Sequence, residues 1–236
     1  STQAKTLFPY TTLFRSLFNK FTPLEDDSLK ARVQALMQRA GFQAKGFFVM
    51  DGSRRSAHAN AYFTGFGAAK RVVFYDTLLS QLSAPEVEAV LAHELGHFHH
   101  KHIVKRVVWM ALTSLAGLAA LGWLSGQAWF YVGLGVEPSV QGGNEALALL
   151  LFMMVTPVAT FFLSPLAAAS SRKHEFQADA FAASHANGSD LTAALLKLYR
   201  DNASTLTPDP WYVWFYYSHP PASDRLSKLN ATGGAA

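Results

Sequence analysis

Two histidines and a glutamate near the middle of the chain are spaced for metal chemistry. His93 and His97 stand four positions apart, and Glu94 directly follows the first histidine. On an α-helix, residues four positions apart lie on the same face, so both imidazoles can bind one zinc ion. Glu94 lies about 100° further round the helix, where its carboxylate can take a proton from a zinc-activated water molecule. The spacing therefore predicts one Zn²⁺ per chain and a hydrolytic reaction.

A zinc ion that keeps one position open for water needs a third protein ligand. The chain contains no cysteine, so this ligand must be a histidine or a carboxylate. Glu175 and Asp179 are again four positions apart in a second helical pattern. We predict that Glu175 is the third ligand and that Asp179 orients a ligating histidine through a hydrogen bond. The alternative is a solvent-exposed pair of carboxylates with no metal role.

The charged residues are distributed unevenly, and a long gap between them predicts two membrane spans. Hydrophobic types make up 50% of the chain and charged types only 15%, a composition that excludes an intrinsically disordered protein. Residues 107–171 contain no lysine or arginine. Apolar runs of about 20 residues in this gap predict transmembrane helices at about 107–126 and 146–169. The alternative is a pair of buried core helices.

Basic residues flank this predicted hairpin only at its outer ends. They are Lys101, Lys105 and Arg106 before the first span, and Arg172 and Lys173 after the second. The positive-inside rule therefore places both ends in the cytoplasm. Because His97 precedes the hairpin and Glu175 follows it, we expect the active site on the cytoplasmic side. The protein is thus expected to be an integral, multi-pass membrane protein whose partner is the lipid bilayer.

The rest of the pattern predicts a mainly α-helical fold with a small β-sheet. Amphipathic and capping patterns predict helices over 23–40, 171–184 and 189–203, and one that runs from Ser83 into the first span. β-Rich runs punctuated by glycine predict strands at 46–50, 58–64 and 71–75. The expected fold class is a zincin-type HExxH catalytic core with a small β-sheet and a two-helix transmembrane hairpin.

Six segments carry a more specific pattern than the metal motif alone. In chain order they are 17–24 (LFNKFTPL), 49–66 (VMDGSRRSAHANAYFTGF), 74–79 (FYDTLL), 93–97 (HELGH), 171–182 (SRKHEFQADAFA) and 218–221 (SHPP) with Arg225. Together they resemble the type I CAAX prenyl endopeptidases, which are membrane zinc metalloproteases, more than the related HtpX-type proteases. The resemblance implies a zinc metalloendopeptidase in which His93, His97 and Glu175 bind zinc and Glu94 is the catalytic base.

The resemblance also implies further site residues, namely Asn60, Asp179, His219 and Arg225. His219, held before two prolines, could donate a hydrogen bond to the oxyanion, or be a packed turn histidine. Arg225 could hold a substrate carbonyl, brace Asp179, or form a surface salt bridge. The strand that contains Asn60, Ala61 and Tyr62 could bind an extended peptide at an open edge, or be an ordinary hairpin strand.

The first sixteen residues are set apart from this fold. Residues 6–16 read TLFPYTTLFRS, the in-frame translation of a widely used sequencing-adapter oligonucleotide. We therefore interpret residues 1–16 as an artefact and 17–236 as a truncated metalloprotease catalytic domain. Native DNA that encodes residues 6–16 would contradict this interpretation.

The resemblance also sets expectations about partners. The family has several membrane helices before the segment that matches 17–24, so the missing N-terminal transmembrane helices of the full-length chain are an expected partner. Substrates are expected among CaaX-type or other small peptides and membrane proteins, and the alanine-rich composition favours a prokaryotic cytoplasmic membrane. The alternatives are an HtpX-like quality-control protease and a catalytically incompetent zinc-binding membrane module. Because the basic residues share no face with the aromatic ones, no nucleic-acid partner is expected.

Overall fold

The computed structural model describes residues 20–54, 59–64, 69–201 and 207–233, so residues 1–16, which we interpret as an artefact, lie outside the described residues. The strands are β1 (Phe21–Pro23), β2 (Gln43–Met50), β3 (Ala61–Thr64) and β4 (Ala69–Tyr75). The helices are α1 (Asp27–Arg39), α2 (Asp76–Gln81), α3 (Ala84–His99), α4 (His102–Leu124), α5 (Ala128–Gly133), α6 (Glu145–His185), α7 (Gly188–Asp201), α8 (Pro210–Tyr216) and α9 (Ala222–Gly233). The prediction of a mainly helical chain with a small sheet is confirmed.

The chain divides into two compact units. The first contains the described residues up to His100, then Glu175–Pro208, and then the residues from Pro220 onward. The second contains Lys101–His174 and Asp209–His219. Helix α6 belongs to both, because its first thirty residues lie in the second unit and its last eleven in the first.

The first unit is built on a four-stranded mixed sheet in the order β1-β2-β4-β3. β2 and β4 are parallel, whereas β1 and β3 pair antiparallel with them. Strands were predicted at 46–50, 58–64 and 71–75; β2 and β4 begin earlier than that, and β3 begins only at Ala61. One core joins the sheet to the helices of this unit, and α1 contributes Leu29, Val33, Leu36 and Met37 to it. Among the described residues, β1 and β3 are the two edge strands of this sheet.

Helix α1 begins four residues later than the predicted 23–40. Pro23 ends β1, where it pairs with Phe48. The side chain of Asp26 accepts hydrogen bonds from the backbone N–H groups of Ser28 and Leu29. This cap satisfies N–H groups that have no partner within the helix, and it fixes the start at Asp27.

Helix α3 carries the metal motif and starts as predicted, after Ser83. Ser83 and Glu86 form a reciprocal capping box, and Pro85 lies in the first turn. The prediction that this helix runs on into the first span is wrong. Lys101 has a left-handed backbone conformation with φ 56°, so α3 ends at His99 and α4 begins at His102. A residue in that conformation interrupts the helical hydrogen-bond ladder.

Helix α6 is a single helix of 41 residues, Glu145–His185. Residues 171–184 are helical as predicted, but they are the last part of α6 and not a helix of their own. The charges at Arg172 and Lys173 mark the end of the apolar run and not the end of the helix. Pro165 lies inside α6 and cannot donate to the carbonyl of Phe161. The Ser164 hydroxyl donates to that carbonyl instead, at 2.6 Å, and so the helix continues through the proline.

Helices α4 and α6 are both long and apolar enough to cross a membrane. In the apolar 18-residue stretch of each helix, none of the α4 residues and 11% of the α6 residues are buried. Large apolar side chains such as Leu115 and Leu118 are each 66% exposed. Core helices of a soluble protein would be buried, so the alternative of two core helices does not fit the described residues.

Candidate metal centre

Helix α3 and the last part of α6 approach each other closely at Gly96. A Cβ atom at this position would lie 2.9 Å from the Cα of Ala178 and 3.0 Å from the Cβ of Phe181. A contact of 2.9 Å with backbone is closer than real Cβ atoms come, so a side chain at residue 96 would force the two helices apart. Glycine therefore allows the histidines of α3 to meet the carboxylates of α6.

Three predicted ligands are brought together at this crossing. The Nε2 atoms of His93 and His97 lie 3.2 Å apart. The Glu175 carboxylate places Oε2 at 3.5 Å from His93 Nε2 and Oε1 at 3.6 Å from His97 Nε2. Tetrahedral zinc with bonds of about 2.0–2.1 Å holds its ligand atoms about 3.3 Å apart. The two imidazole nitrogens and the Glu175 carboxylate are therefore close enough together to hold one zinc ion.

Asp179 fixes the orientation of His93. The Nδ1–H group of His93 donates a hydrogen bond to Asp179 Oδ1 at 2.8 Å. Because Nδ1 holds this proton, Nε2 is the ring atom left with a lone pair for a metal. Asp179 is buried, with 4% of its surface exposed, so it is not the solvent-exposed carboxylate of the alternative interpretation.

Arg225 braces Asp179 from the other side. Its Nε donates to Asp179 Oδ2 at 2.8 Å and its Nη2 to Asp179 Oδ1 at 2.5 Å, a bidentate pair. Arg225 is only 6% exposed. Of the roles open to Arg225 in the sequence, the surface salt bridge does not fit this burial.

The buried charges shift the pKa values of the centre in opposite directions. Burial alone lowers the pKa of His93, but hydrogen bonds to Asp179 and Glu175 outweigh it and raise the pKa to about 9. Burial raises the pKa of Asp179, but the hydrogen bonds from His93 and Arg225 outweigh it and bring the pKa below its ordinary 3.8. Asp179 therefore stays ionised and keeps the Nδ1 proton in place.

Glu94 is the carboxylate best suited to accept a proton. It is half-buried on α3, next to His93. Burial is the largest cause of its raised pKa; the negative charge of Glu175 adds to the effect, and the charges of His93 and Arg225 oppose it. A general base works best when its pKa approaches the working pH, so this shift favours the predicted role.

The predicted substrate strand lies at the edge of the sheet. Within the described residues β3 pairs with β4 alone, where Ala61 faces Phe74 and Tyr62 faces Val73. Phe63 of β3 packs edge-on against Phe98 of α3, with ring centroids 5.9 Å apart. The open edge is thus held against the helix that carries the metal motif. Asn60, just before β3, is exposed, and its carbonyl accepts a hydrogen bond from Tyr75 N–H.

His219 belongs to the second unit, and its role stays a prediction. It is exposed, and its Nδ1 lies 3.0 Å from the hydroxyl of the preceding Ser218.

Sequence reasoning overlooked the contribution of Gly96. A glycine between two ligands on a helix lowers helix propensity, and this cost is a usable signal of close packing.

We expect zinc affinity to rise with pH, because zinc must displace a proton from His93. With a pKa of about 9, His93 is protonated at neutral pH in the metal-free chain. One displaced proton makes the apparent affinity rise about tenfold per pH unit, and the rise ends near the pKa of His93. Zinc titration calorimetry in buffers of different ionisation enthalpy measures the released proton. An affinity that is flat across this range would contradict the assignment.

We expect Gly96→Ala to weaken zinc binding by opening the crossing of the two helices. The added methyl group meets the backbone of Ala178, which cannot move without α6, at a cost of about 1–3 kcal/mol in folding free energy. The matched control is Gly188→Ala, whose Cβ would meet Ala183 at an ordinary 3.7 Å. Zinc content after dialysis compares the two variants. Equal zinc content would show that the close approach does not position the ligands.

Comparisons with known proteins identify relatives of the chain. The model of peptidase family M48 matches residues 23–233. CAAX prenyl protease 1 of Saccharomyces cerevisiae is 38% identical over 239 residues, which cover 96% of this chain and 52% of the relative. The CAAX prenyl protease 1 homologue of Oryza sativa subsp. japonica is 39% identical, with coverages of 93% and 51%. The crystal structure of S. mikatae Ste24p aligns with a TM-score of 0.81 at 38% identity, over 93% of this chain and 54% of the other. The chain thus spans about half the length of these relatives.

Proposed function

Because the chain belongs to peptidase family M48, we propose that it is the catalytic part of a membrane zinc endopeptidase with a zincin-type HExxH core. The observation that carries the proposal is the arrangement of three donor atoms, from His93, His97 and Glu175, at the spacing of tetrahedral zinc ligands. Three protein ligands leave one position open, which is typical of catalytic zinc sites and not of structural ones.

The residues around this centre supply the parts of a peptide hydrolysis. When bound, zinc supplies Lewis acidity, which activates water and polarises a carbonyl group. Glu94 accepts the proton of the attacking water and can pass it to the leaving amine. Asp179 and Arg225 act as positioning residues, because Arg225 holds Asp179 and Asp179 holds His93. His219 is the proposed hydrogen-bond donor to the oxyanion that forms during peptide hydrolysis.

The proposed substrate is an extended peptide that adds to the edge of the sheet. Backbone groups of β3 that do not pair with β4 can bind a peptide strand beside Ala61 and Tyr62. The relatives are named CAAX prenyl proteases, so prenylated CaaX peptides are the proposed substrate class. Degradation of membrane proteins, as in HtpX-like proteases, is the runner-up.

The proposed location is the membrane, with α4 and α6 as spans and the metal centre on the cytoplasmic side. Basic residues flank the spans only at the end that connects to the metal centre. Transmembrane helices from the rest of a full-length chain are the proposed partner of the exposed apolar faces. A prokaryotic cytoplasmic membrane remains the proposed source.

The test is metal-dependent cleavage by the 236-residue chain in lipid nanodiscs. We expect about one zinc ion per chain, cleavage of a farnesylated CaaX peptide, inhibition by a chelator, and recovery on addition of zinc. Cleavage of casein but not of the CaaX peptide would favour the quality-control protease. Bound zinc without any cleavage would favour the non-catalytic membrane module and contradict the proposal for this chain.

A further inference from the structure

The short aromatic helix α8 is attached to the second candidate span through both packing and hydrogen bonds. Phe215 of α8 packs on Phe161 of α6, with ring centroids 4.6 Å apart. Arg172 of α6 donates hydrogen bonds to the carbonyls of Val213 at 3.0 Å and Tyr217 at 2.7 Å. The Val213 carbonyl also accepts a hydrogen bond from the Tyr217 N–H at 3.1 Å, so Arg172 adds a second donor at the C-terminal end of α8. The contacts fix α8 alongside α6.

Four aromatic side chains of α8 face outward from the second unit. Their exposed fractions are 78% for Trp211, 54% for Tyr212, 52% for Trp214 and 54% for Tyr216. Ring contacts join them in two pairs, Trp211 with Trp214 and Tyr212 with Tyr216. Exposed aromatic residues clustered in this way mark a contact with a partner or a membrane. Trp and Tyr are the residues enriched where a bilayer meets water, because their rings are apolar and their N–H and O–H groups are polar.

The level of α8 along α6 corresponds to the end of the span. Phe161 and Arg172 are 11 residues apart, which is about 16 Å of helix. Side chains of a helix tilt toward its N-terminus, so Arg172 reaches back from the charged segment toward the apolar one. α8 therefore lies beside the last turns of the apolar run, where the headgroup region of a bilayer would begin.

The opposite end of the hairpin carries an aromatic cluster of its own. Trp123 near the end of α4 and Trp129 in α5 have ring centroids 5.9 Å apart and are 61% and 58% exposed. Membrane proteins commonly carry aromatic residues at both interfaces. Helix α6 contains no tryptophan or tyrosine, and α8 supplies these residues beside the end of the span near Arg172.

We propose that α8 is an interfacial anchor whose aromatic side chains insert among the phospholipid headgroups on the side of Arg172. The inference rests on the membrane-spanning hairpin proposed above. Ser218 and His219 directly follow Tyr217, so the anchor would fix the level at which this part of the chain leaves the bilayer. The occupant of the aromatic face is phospholipid, because its outward residues are the types that prefer the interface.

Tryptophan fluorescence with lipid-borne quenchers tests this proposal. One variant keeps only Trp211 and Trp214, with the other three tryptophans of the chain changed to phenylalanine. The matched control keeps only Trp109, which lies one turn beyond Arg106 in α4. Both are reconstituted into phosphatidylcholine vesicles that carry a spin label near either the glycerol end or the methyl end of the acyl chain. Iodide serves as the aqueous quencher.

We expect Trp211 and Trp214 to show blue-shifted emission, strongest quenching by the label near the glycerol end, and weak quenching by iodide. Quenching by iodide alone would place α8 in water and overturn the proposal. Protection from all three quenchers would show that protein covers the helix, which also overturns it, as would strongest quenching by the deep label. Quenching of Trp109 by iodide and by neither lipid label would instead signal failure of the proposed spans, so the two failures are distinguishable.

Discussion

Replacing Glu94 with glutamine is expected to lower peptide cleavage by about a thousandfold while one zinc ion stays bound per chain. Glutamine keeps the size and hydrogen-bonding shape of the side chain but cannot accept the proton of the attacking water. The zinc ligands are untouched, because the three donor atoms come from His93, His97 and Glu175. Zinc content by atomic absorption and kcat/KM on a CaaX peptide are the two measurements.

A second readout separates a base from a structural carboxylate. Glu94 must be ionised to act, and burial raises its pKa above the ordinary 4.5. The loss of kcat/KM on acidification should therefore begin at a higher pH than an ordinary glutamate would give. The control is Glu25→Gln, which changes an exposed glutamate outside the centre and should leave both zinc and activity unchanged. Full activity of the Glu94 variant would refute the assignment.

The donor set could be predicted from the sequence, whereas its assembly could not. The spacing of His93 and His97 predicts two ligands on one helix face. Because the chain has no cysteine, the third ligand must be a histidine or a carboxylate, and the i, i+4 spacing of Glu175 and Asp179 favours Glu175. The meeting of α3 and α6 depends on how tightly they pack at Gly96, which a local pattern does not encode. The spacing thus identified the ligand types, and tertiary packing placed their atoms.

Helix boundaries were less predictable for a physical reason. Lys101 is an ordinary helix-forming residue, so nothing in the local sequence signals its left-handed conformation. At Arg172 the hydropathy changes sharply, yet helix propensity does not, and α6 continues to His185. Hydropathy reports the surroundings of a helix and not its length, so the two kinds of boundary need not coincide.

The second large effect is expected at Arg225, where the sequence left several roles open. Arg225→Met removes the bidentate partner of Asp179 but leaves a carboxylate that is 4% exposed. Asp179 keeps its hydrogen bond from His93, so the loss of its arginine partner is expected to cost about 1–3 kcal/mol of unfolding free energy. We also expect weaker zinc binding, because Asp179 no longer holds His93 firmly. Denaturant unfolding of the metal-free chain in detergent measures the first effect, and zinc titration measures the second.

A double variant and a matched arginine make this prediction specific. Asp179→Asn in the Arg225→Met background removes the buried charge that has lost its arginine, while the amide oxygen can still accept the Nδ1–H of His93, so part of the stability should return. Arg200→Met, at an exposed arginine of α7, should change the unfolding free energy by less than about 0.5 kcal/mol. If Arg225 instead held a substrate carbonyl, Arg225→Met would raise KM and leave stability and zinc affinity intact. If Arg225 braces Asp179, Arg225→Met instead lowers the free energy of unfolding and the zinc affinity. These effects arise without substrate, because the Asp179 charge that Arg225 neutralises is already present in the free enzyme.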